Sequence, residues 1–322
     1  MSRVGRYQEN ISKFLQTKSF INKTSTITKK ILTELMIGYD HVPAMLCLTV
    51  LNSQCKKYNI KLHGYYVAGC VDVLMILAKV CCNRPYFNKL YGTANLNNLI
   101  IEVINWTYCS IYQNIETLLM NKGERYNPKT TQLCIDYCVK LIPKIVQVCD
   151  YTSNKRMKKT DIYSYKPSDA DFWKKYKNKA LLDKTTVTNE IDNRYGSVCC
   201  LSVCLGWILG QGDESALGEI EKLGKYCGIL LKMSDDFRYL EQDITEGHVS
   251  TNYVINFGIK ETYTAIIEAK ANLIEELLKN KIDGKTLRDA IDVIIRMVDD
   301  IVSDISVDMN TQYDECSTFS EN

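Results

Sequence analysis

The chain has 322 residues, with only 5 Pro, 16 Gly, 14 Cys and a net charge of +2. So few turn-formers exclude an all-β sandwich or barrel, collagen-like and Pro-rich architectures, and domains strung on flexible linkers. The near balance of 40 Lys+Arg against 38 Asp+Glu excludes a global field for nucleic acid or an anionic membrane, so no nucleic-acid partner is expected. What remains is one compact, mostly helical body, near the upper size for a single core.

Apolar residues recur at helical spacing along nearly the whole chain. They predict helices at about 8–16, 24–38, 43–58, 62–81, 95–121, 129–150, 169–183, 186–210, 214–244, 260–280 and 284–308. The opening Met1–Arg6 lacks an apolar leader run. Pro43 suits a first helical turn, and Asn83-Arg84-Pro85 ends the helix before it. Gly123 and Pro128 bound a short loop, and 153–168 is the longest polar stretch, including Lys155-Arg156-Met157-Lys158-Lys159, read as a solvated loop. Gly210-Gln211-Gly212-Asp213 separates two strongly apolar helices. Segments 198–209 and 223–233 are apolar on several faces and should be central. Residues 309–322 read as a polar tail after a single domain over 1–308.

The longest apolar runs, Val71–Val80 and Val198–Leu209, are read as too short or too interrupted to cross a bilayer, and Cys316 lies too far from the last residue for prenylation. No transmembrane segment and a cytoplasmic location are expected. The cysteines form no C-x-x-C pair. Cys134/Cys138 and Cys200/Cys204 are i,i+4 in apolar helices, which suits buried, reduced thiols. His41 and His63 stand alone and read as surface or capping residues.

The chemistry-bearing stretch is Lys232-Met-Ser-Asp235-Asp236-Phe-Arg-Tyr239-Leu-Glu-Gln-Asp243-Ile-Thr-Glu246-Gly247. It begins inside an apolar helix, directly after Ile229-Leu230-Leu231, where a carboxylate must be paired or bound to metal. Asp235, Tyr239 and Asp243 are spaced i, i+4, i+8. Lys232 lies one turn before the Asp pair. Such an oxygen-rich stripe suits Mg²⁺, which takes one or two carboxylates and shares the rest with substrate phosphates. The alternative is an exposed helix end with scattered acids.

From about Lys174 to Gly258 the chain resembles the C-terminal half of a trans-isoprenyl diphosphate synthase. Asp235-Asp236 resembles the second aspartate-rich motif. Asp243-Ile-Thr-Glu246-Gly247-His248-Val-Ser250 resembles the Asp-x-x-Glu-Gly-Lys-x-Ser/Thr run, with His248 for Lys. Arg194-Tyr-Gly-Ser resembles the Lys-Thr segment that contacts diphosphate. Gln147-Val-Cys-Asp150 resembles the Gln-x-x-Asp whose Asp lies near the metals. In the N-terminal half, Gly38–Pro43 lacks the basic residues that bind isopentenyl diphosphate. Cys81-Cys82-Asn83-Arg84 stands in place of the first Asp-rich motif. Class I terpene synthases are similar too: their metal triad has the spacing of Asp235, Tyr239 and Asp243, and they sense diphosphate with an Arg upstream, a role open to Arg194.

The resemblance implies an all-α bundle of about 10–11 helices around a central cavity, the isoprenoid synthase-like fold. It also implies a Mg²⁺-dependent enzyme, terpene synthase-like, that ionises a prenyl diphosphate as a cyclase or lyase. Asp235, Tyr239, Asp243, Asp236 and Asp150 would hold metal, and Asp235, Asp236, Asp243 and Arg194 would be catalytic. Arg194, Lys232, Gln147, Tyr239, His248 and Trp106 would bind substrate, with Tyr66, Met75, Trp106 and Trp207 as candidate cavity lining. Two alternatives stay open. One is a catalytically impaired regulatory or partner subunit of a prenyl diphosphate synthase; the other is a divergent chain-elongating prenyltransferase of the geranylgeranyl or farnesyl diphosphate synthase type. A homodimer, or a heteromer with an active synthase, is the expected assembly.

Overall fold

The structure is a computed structural model that describes residues 3–16, 24–57, 64–122, 128–147, 182–240, 243, 251–280, 288–289, 291–296 and 299. Among these the regular elements are all helical. In chain order they are α1 Arg3–Leu15, α2 Thr26–Leu35, α3 Val42–Lys57, α4 Tyr65–Cys82, α5 Arg84–Tyr91, α6 Thr93–Lys122 and α7 Pro128–Val146. There follow α8 Lys184–Ile191, a π-helical turn Asp192–Gly196, α9 Ser197–Leu209, a 3₁₀ turn Glu214–Ala216, α10 Leu217–Arg238, α11 Tyr253–Phe257 and α12 Ile259–Lys279.

α9 is the axis of the bundle. All of its residues are buried, as an all-round apolar helix requires. It packs against α3, α4, α7 and α10. Glycines set these distances. A Cβ on Gly206 would stand 2.5 Å from the Cys47 carbonyl oxygen of α3. On Gly228 of α10 it would stand 2.5 Å from the Gly196 backbone, and on Gly224 it would collide with the Cα of Cys200. These glycines let backbone meet backbone. α9 stops at Gly210. Trp207 then donates its indole N–H to the Asp213 carbonyl at 2.8 Å and clamps the turn. Trp207 is therefore a turn clamp rather than an open wall residue.

The remaining ends are closed by local chemistry. Ser25 caps α2, Asp183 caps α8 through Thr186 N–H at 2.9 Å, and Asn252 caps α11 through Ile255 N–H at 3.2 Å. α4 is long and apolar enough to cross a membrane, but it lies mostly buried inside the bundle, as a core helix does. The described cysteines are free thiols. Most are buried, and burial pushes Cys227 up to about 12.

Most predicted helices are found, with shifts that have local causes. The 95–121 segment is preceded by a separate short helix, α5, because Pro85 opens a new first turn. The 186–210 segment is broken by the π-helical turn Asp192–Gly196. α11, five residues long, falls below the length at which periodicity is legible. Of the 169–183 prediction only residues 182 and 183 are described. Of 284–308, residues 288–289, 291–296 and 299 are described and are helical, with Ile291, Ile294 and Ile295 buried; the tail 309–322 lies wholly outside the described residues.

Candidate functional site

The C-terminal half of α10 carries Lys232, Asp235 and Asp236. Successive helical residues point about 100° apart, so the adjacent acids face different neighbours. Asp235 turns toward α4 and the π-helical turn. Its Oδ2 sits 2.7 Å from the Lys79 ammonium and accepts from the Tyr195 hydroxyl at 2.9 Å. Asp236 turns toward α11. One oxygen is ion-paired with Lys232, and the other accepts from Tyr253 N–H at 2.9 Å. Asp243 continues the helical path, its N–H bonding the Tyr239 carbonyl at 2.8 Å. Its carboxylate accepts from the Asn252 side chain at 2.7 Å.

Lys79 is the hinge of this arrangement. Its Nζ lies 5.6 Å from the Tyr39 ring centre and 5.9 Å from that of Tyr239, so two aromatic faces and a carboxylate share one ammonium. Lys232 is buried, bonds the Thr251 carbonyl at 3.2 Å and stands 5.8 Å from the Tyr195 ring. Burial alone would pull the Lys232 ammonium down; the Asp236 charge outweighs it and holds the group above its ordinary value. Burial pushes the Tyr195 hydroxyl well up, and the nearby Asp235 charge adds to the effect, so Tyr195 acts as a donor. At the rim Arg238 meets Asp40 at 3.1 Å. Among the described residues, Lys79, Lys232 and Arg238 face Asp40, Asp235, Asp236 and Asp243, three cations and four carboxylates.

Arg194 does not fill the diphosphate-sensing role that its position suggests. It is 1% exposed, and each of its nitrogens has an acceptor within the chain. Nε donates to Glu190 at 2.6 Å; Nη1 and Nη2 donate to the carbonyls of Ile145 and Gln147, both at 2.9 Å. Burial opposes its charge, but surrounding acidic groups, Glu190 among them, outweigh that and keep the guanidinium ionised. Arg194 thus caps the open carbonyls at the end of α7. Gln147 contributes its main-chain oxygen to this contact, and its side chain is exposed. Trp106 is buried in the core and Met75 likewise, while Tyr66 packs edge-on against Phe14. Tyr239 is 41% exposed at the end of α10. Asp150 and His248 lie outside the described residues.

His41 is also reassigned. It is buried, at φ +56°, with Nδ1 2.9 Å from the Asp72 carboxylate, whose other oxygen accepts from Ala44 N–H at 2.9 Å. Burial pushes Asp72 up, opposed by His41.

Magnesium binding needs several oxygens converging in near-octahedral array. Here the carboxylates of Asp235, Asp236 and Asp243 are each engaged by a donor of the chain itself, two of them by ammonium groups. Among the described residues no three His, Cys, Asp or Glu are grouped to hold a metal. Among the described residues, the arrangement of Asp235, Tyr239 and Asp243 does not fit the expected magnesium triad.

Lys79, Tyr195, Tyr39 and Asn252 are the site residues that sequence reasoning missed. Lys79 had a signal: it is the lone charge in the apolar run Val73–Cys82 of a buried helix, where a cation requires a partner. The other three had none.

No protein-family model and no curated protein sequence matches the chain. Its fold is similar to that of solved structures. A geranyltranstransferase from Thermotoga maritima superposes with a TM-score of 0.60 at 12% identity, covering 93% of this chain and 100% of that one. A geranyltransferase from Legionella pneumophila superposes with a TM-score of 0.53 at 11% identity, covering 92% and 95%. The chain therefore has the all-α fold of these prenyl-transferring enzymes over nearly its whole length.

Proposed function

We propose that the chain is a non-ionising subunit built on the prenyl synthase fold, which acts through a partner synthase rather than by activating a diphosphate itself. The observation that carries this reading is that Asp235 and Asp236 are each neutralised by a lysine of the same chain, Lys79 and Lys232. A carboxylate pair so engaged does not offer a divalent ion its oxygens. The first Asp-rich motif, replaced by Cys81-Cys82-Asn83, points the same way.

A surface for the partner is available on α6. Between Thr93 and Ile115 its one charge is Glu102, and that carboxylate accepts from Ser25 N–H at 2.9 Å. The outer face presents Ile101 at 57% and Tyr112 at 53% exposure, with Asn105 and Cys109 between them. An uncharged face of this kind, in which Ile101 and Tyr112 stand among the exposed Asn97, Asn98 and Asn105, suits a protein partner, either a second copy or an active prenyl diphosphate synthase.

The test is diphosphate release from geranyl, farnesyl and geranylgeranyl diphosphate with Mg²⁺, with and without isopentenyl diphosphate. The chain alone should release none. Mixed with a prenyl synthase from its own source, it should change that enzyme's rate or product length. Mg²⁺-dependent release by the chain alone, lost in Asp235→Asn, would overturn the proposal. That outcome would favour a second reading, a divergent lyase or chain-elongating prenyltransferase. One observation supports the second reading: the Lys79–Asp235 pair is partly open, with side chains 28% and 13% exposed.

A further inference from the structure

We propose that Lys79 is a built-in cation: its ammonium occupies, on Asp235, the position a divalent ion would need, so the intact chain takes up no divalent ion there and loss of that one charge opens the position. This rests on the non-ionising reading and assigns the block to a single side chain.

Three observations carry it. The Lys79 ammonium is seated on Asp235 Oδ2 at 2.7 Å, and the same oxygen accepts from the Tyr195 hydroxyl at 2.9 Å. The carboxylate is thus oriented toward the cation by a donor on a different element. The ammonium is also walled by aromatic faces, Tyr39 at 5.6 Å and Tyr239 at 5.9 Å, a surround that holds a cation without adding negative charge. Finally, the hydroxyl of Tyr39, whose ring stands 5.6 Å from this ammonium, is buried and has no hydrogen-bond partner among the described residues. A lysine stem reaching from α4 delivers a single charge that cannot diffuse away, whereas Mg²⁺ would have to shed hydration and displace it.

The other lysine of the cluster differs. Lys232 is buried against Asp236 and the Thr251 carbonyl within the α10–α11 contact, so its removal opens the fold as well as the site. Lys79 reaches partly into solvent and can be replaced without that cost.

The experiment is Mn²⁺ titration followed by the electron paramagnetic resonance signal of free Mn²⁺, on the wild-type full chain, Lys79→Met, Lys79→Met/Asp235→Asn and Asp235→Asn. Methionine keeps the apolar stem between the Tyr rings and removes the charge; far-ultraviolet circular dichroism and thermal unfolding confirm that each variant folds. The expected result is no Asp235-dependent uptake by the wild type. Lys79→Met should gain at least tenfold in Mn²⁺ affinity, and the second substitution should remove that gain. Uptake by the wild type that Asp235→Asn abolishes overturns the proposal. So does a folded Lys79→Met with no gain. If the gain is absent while the wild type still releases no diphosphate, the built-in cation fails and the non-ionising function stands. If the wild type releases diphosphate in Mg²⁺, the function fails.

Discussion

Lys232 and Asp236 share one turn of α10 with both side chains almost wholly withdrawn from water. A buried pair of this kind adds little net stability, but removing one member strands the other charge, at a cost of about 3–5 kcal/mol. Asp236 has two further duties: its side chain holds Tyr253 N–H, and its carbonyl accepts from Asn252, so it ties α10 to α11. Asp236→Ala should therefore lower the unfolding free energy by about that amount in urea titration, and Lys232→Met/Asp236→Leu should recover much of it. A carboxylate kept only for metal would show no such loss. Arg194 follows the same logic, with Glu190 as the stranded partner and the α7 carbonyls left uncapped. Arg194→Met should cost about 3–5 kcal/mol. A diphosphate-sensing arginine would instead weaken pyrophosphate binding and leave unfolding unchanged.

At the level of elements, the close approach of α10 to the π-helical turn is set by Gly228. A methyl group there must push the Gly196 backbone away, and overpacking of this kind costs about 1–3 kcal/mol. Gly218, exposed in the first turn of the same helix, has nothing within 4 Å of an added Cβ. Gly228→Ala should lower the thermal midpoint, whereas Gly218→Ala should hold or raise it by helix propensity alone. α10 is also joined to α12 by Glu219, which meets Lys279 at 2.9 Å and Lys222 at 3.1 Å. Those bonds, Lys279 first, hold the Glu219 carboxyl down at about 2. A carboxyl depressed on folding stabilises above its ordinary pKa, and the contribution disappears as pH falls toward the folded value. The gap in thermal midpoint between wild type and Glu219→Gln should be widest above pH 5, shrink between pH 4.5 and 2, and narrow with salt, because the pair is exposed.

These elements also explain what could be read in advance. Helices were legible because their apolar spacing is local, and α9 was legible as central because none of its faces is polar. The carboxylates of α10 were legible as anomalous for the same reason: acids following Ile229-Leu230-Leu231 need partners. The identity of those partners was not. Lys79 reaches Asp235 from a helix far away in the chain, and Arg194 is spent on carbonyls of α7, whose need for a cap leaves no mark on residue type. Spacing along α10 placed Asp235 and Asp243 on one stripe. It could not show that each would turn to a donor on a different neighbour.

For the molecule as a whole, the proposed subunit role needs a surface for a partner, and the outer face of α6 bears on it. A helix of 30 residues is about 45 Å long, enough to carry its half of a stable interface of roughly 800 Å² per partner. Its one charge in the stretch from Thr93 to Ile115, Glu102, already accepts from Ser25 N–H, so this chain would not carry a carboxylate without a hydrogen bond into the interface. Ile101 and Tyr112 are exposed in the single chain, so charging them removes no core contact. Ile101→Arg/Tyr112→Arg should therefore leave thermal unfolding of the isolated chain within about 0.5 kcal/mol of its starting value. The same pair of substitutions should abolish association, whether with a second copy or with a prenyl synthase, in sedimentation velocity. Buried like charges facing an apolar partner cost several kcal/mol, enough to turn a micromolar complex into one not seen at working concentration. Persistence of the complex in the doubly charged variant would move the interface off α6. Loss of the complex without loss of stability would tie the protein's function to this face rather than to Asp235 and Asp236.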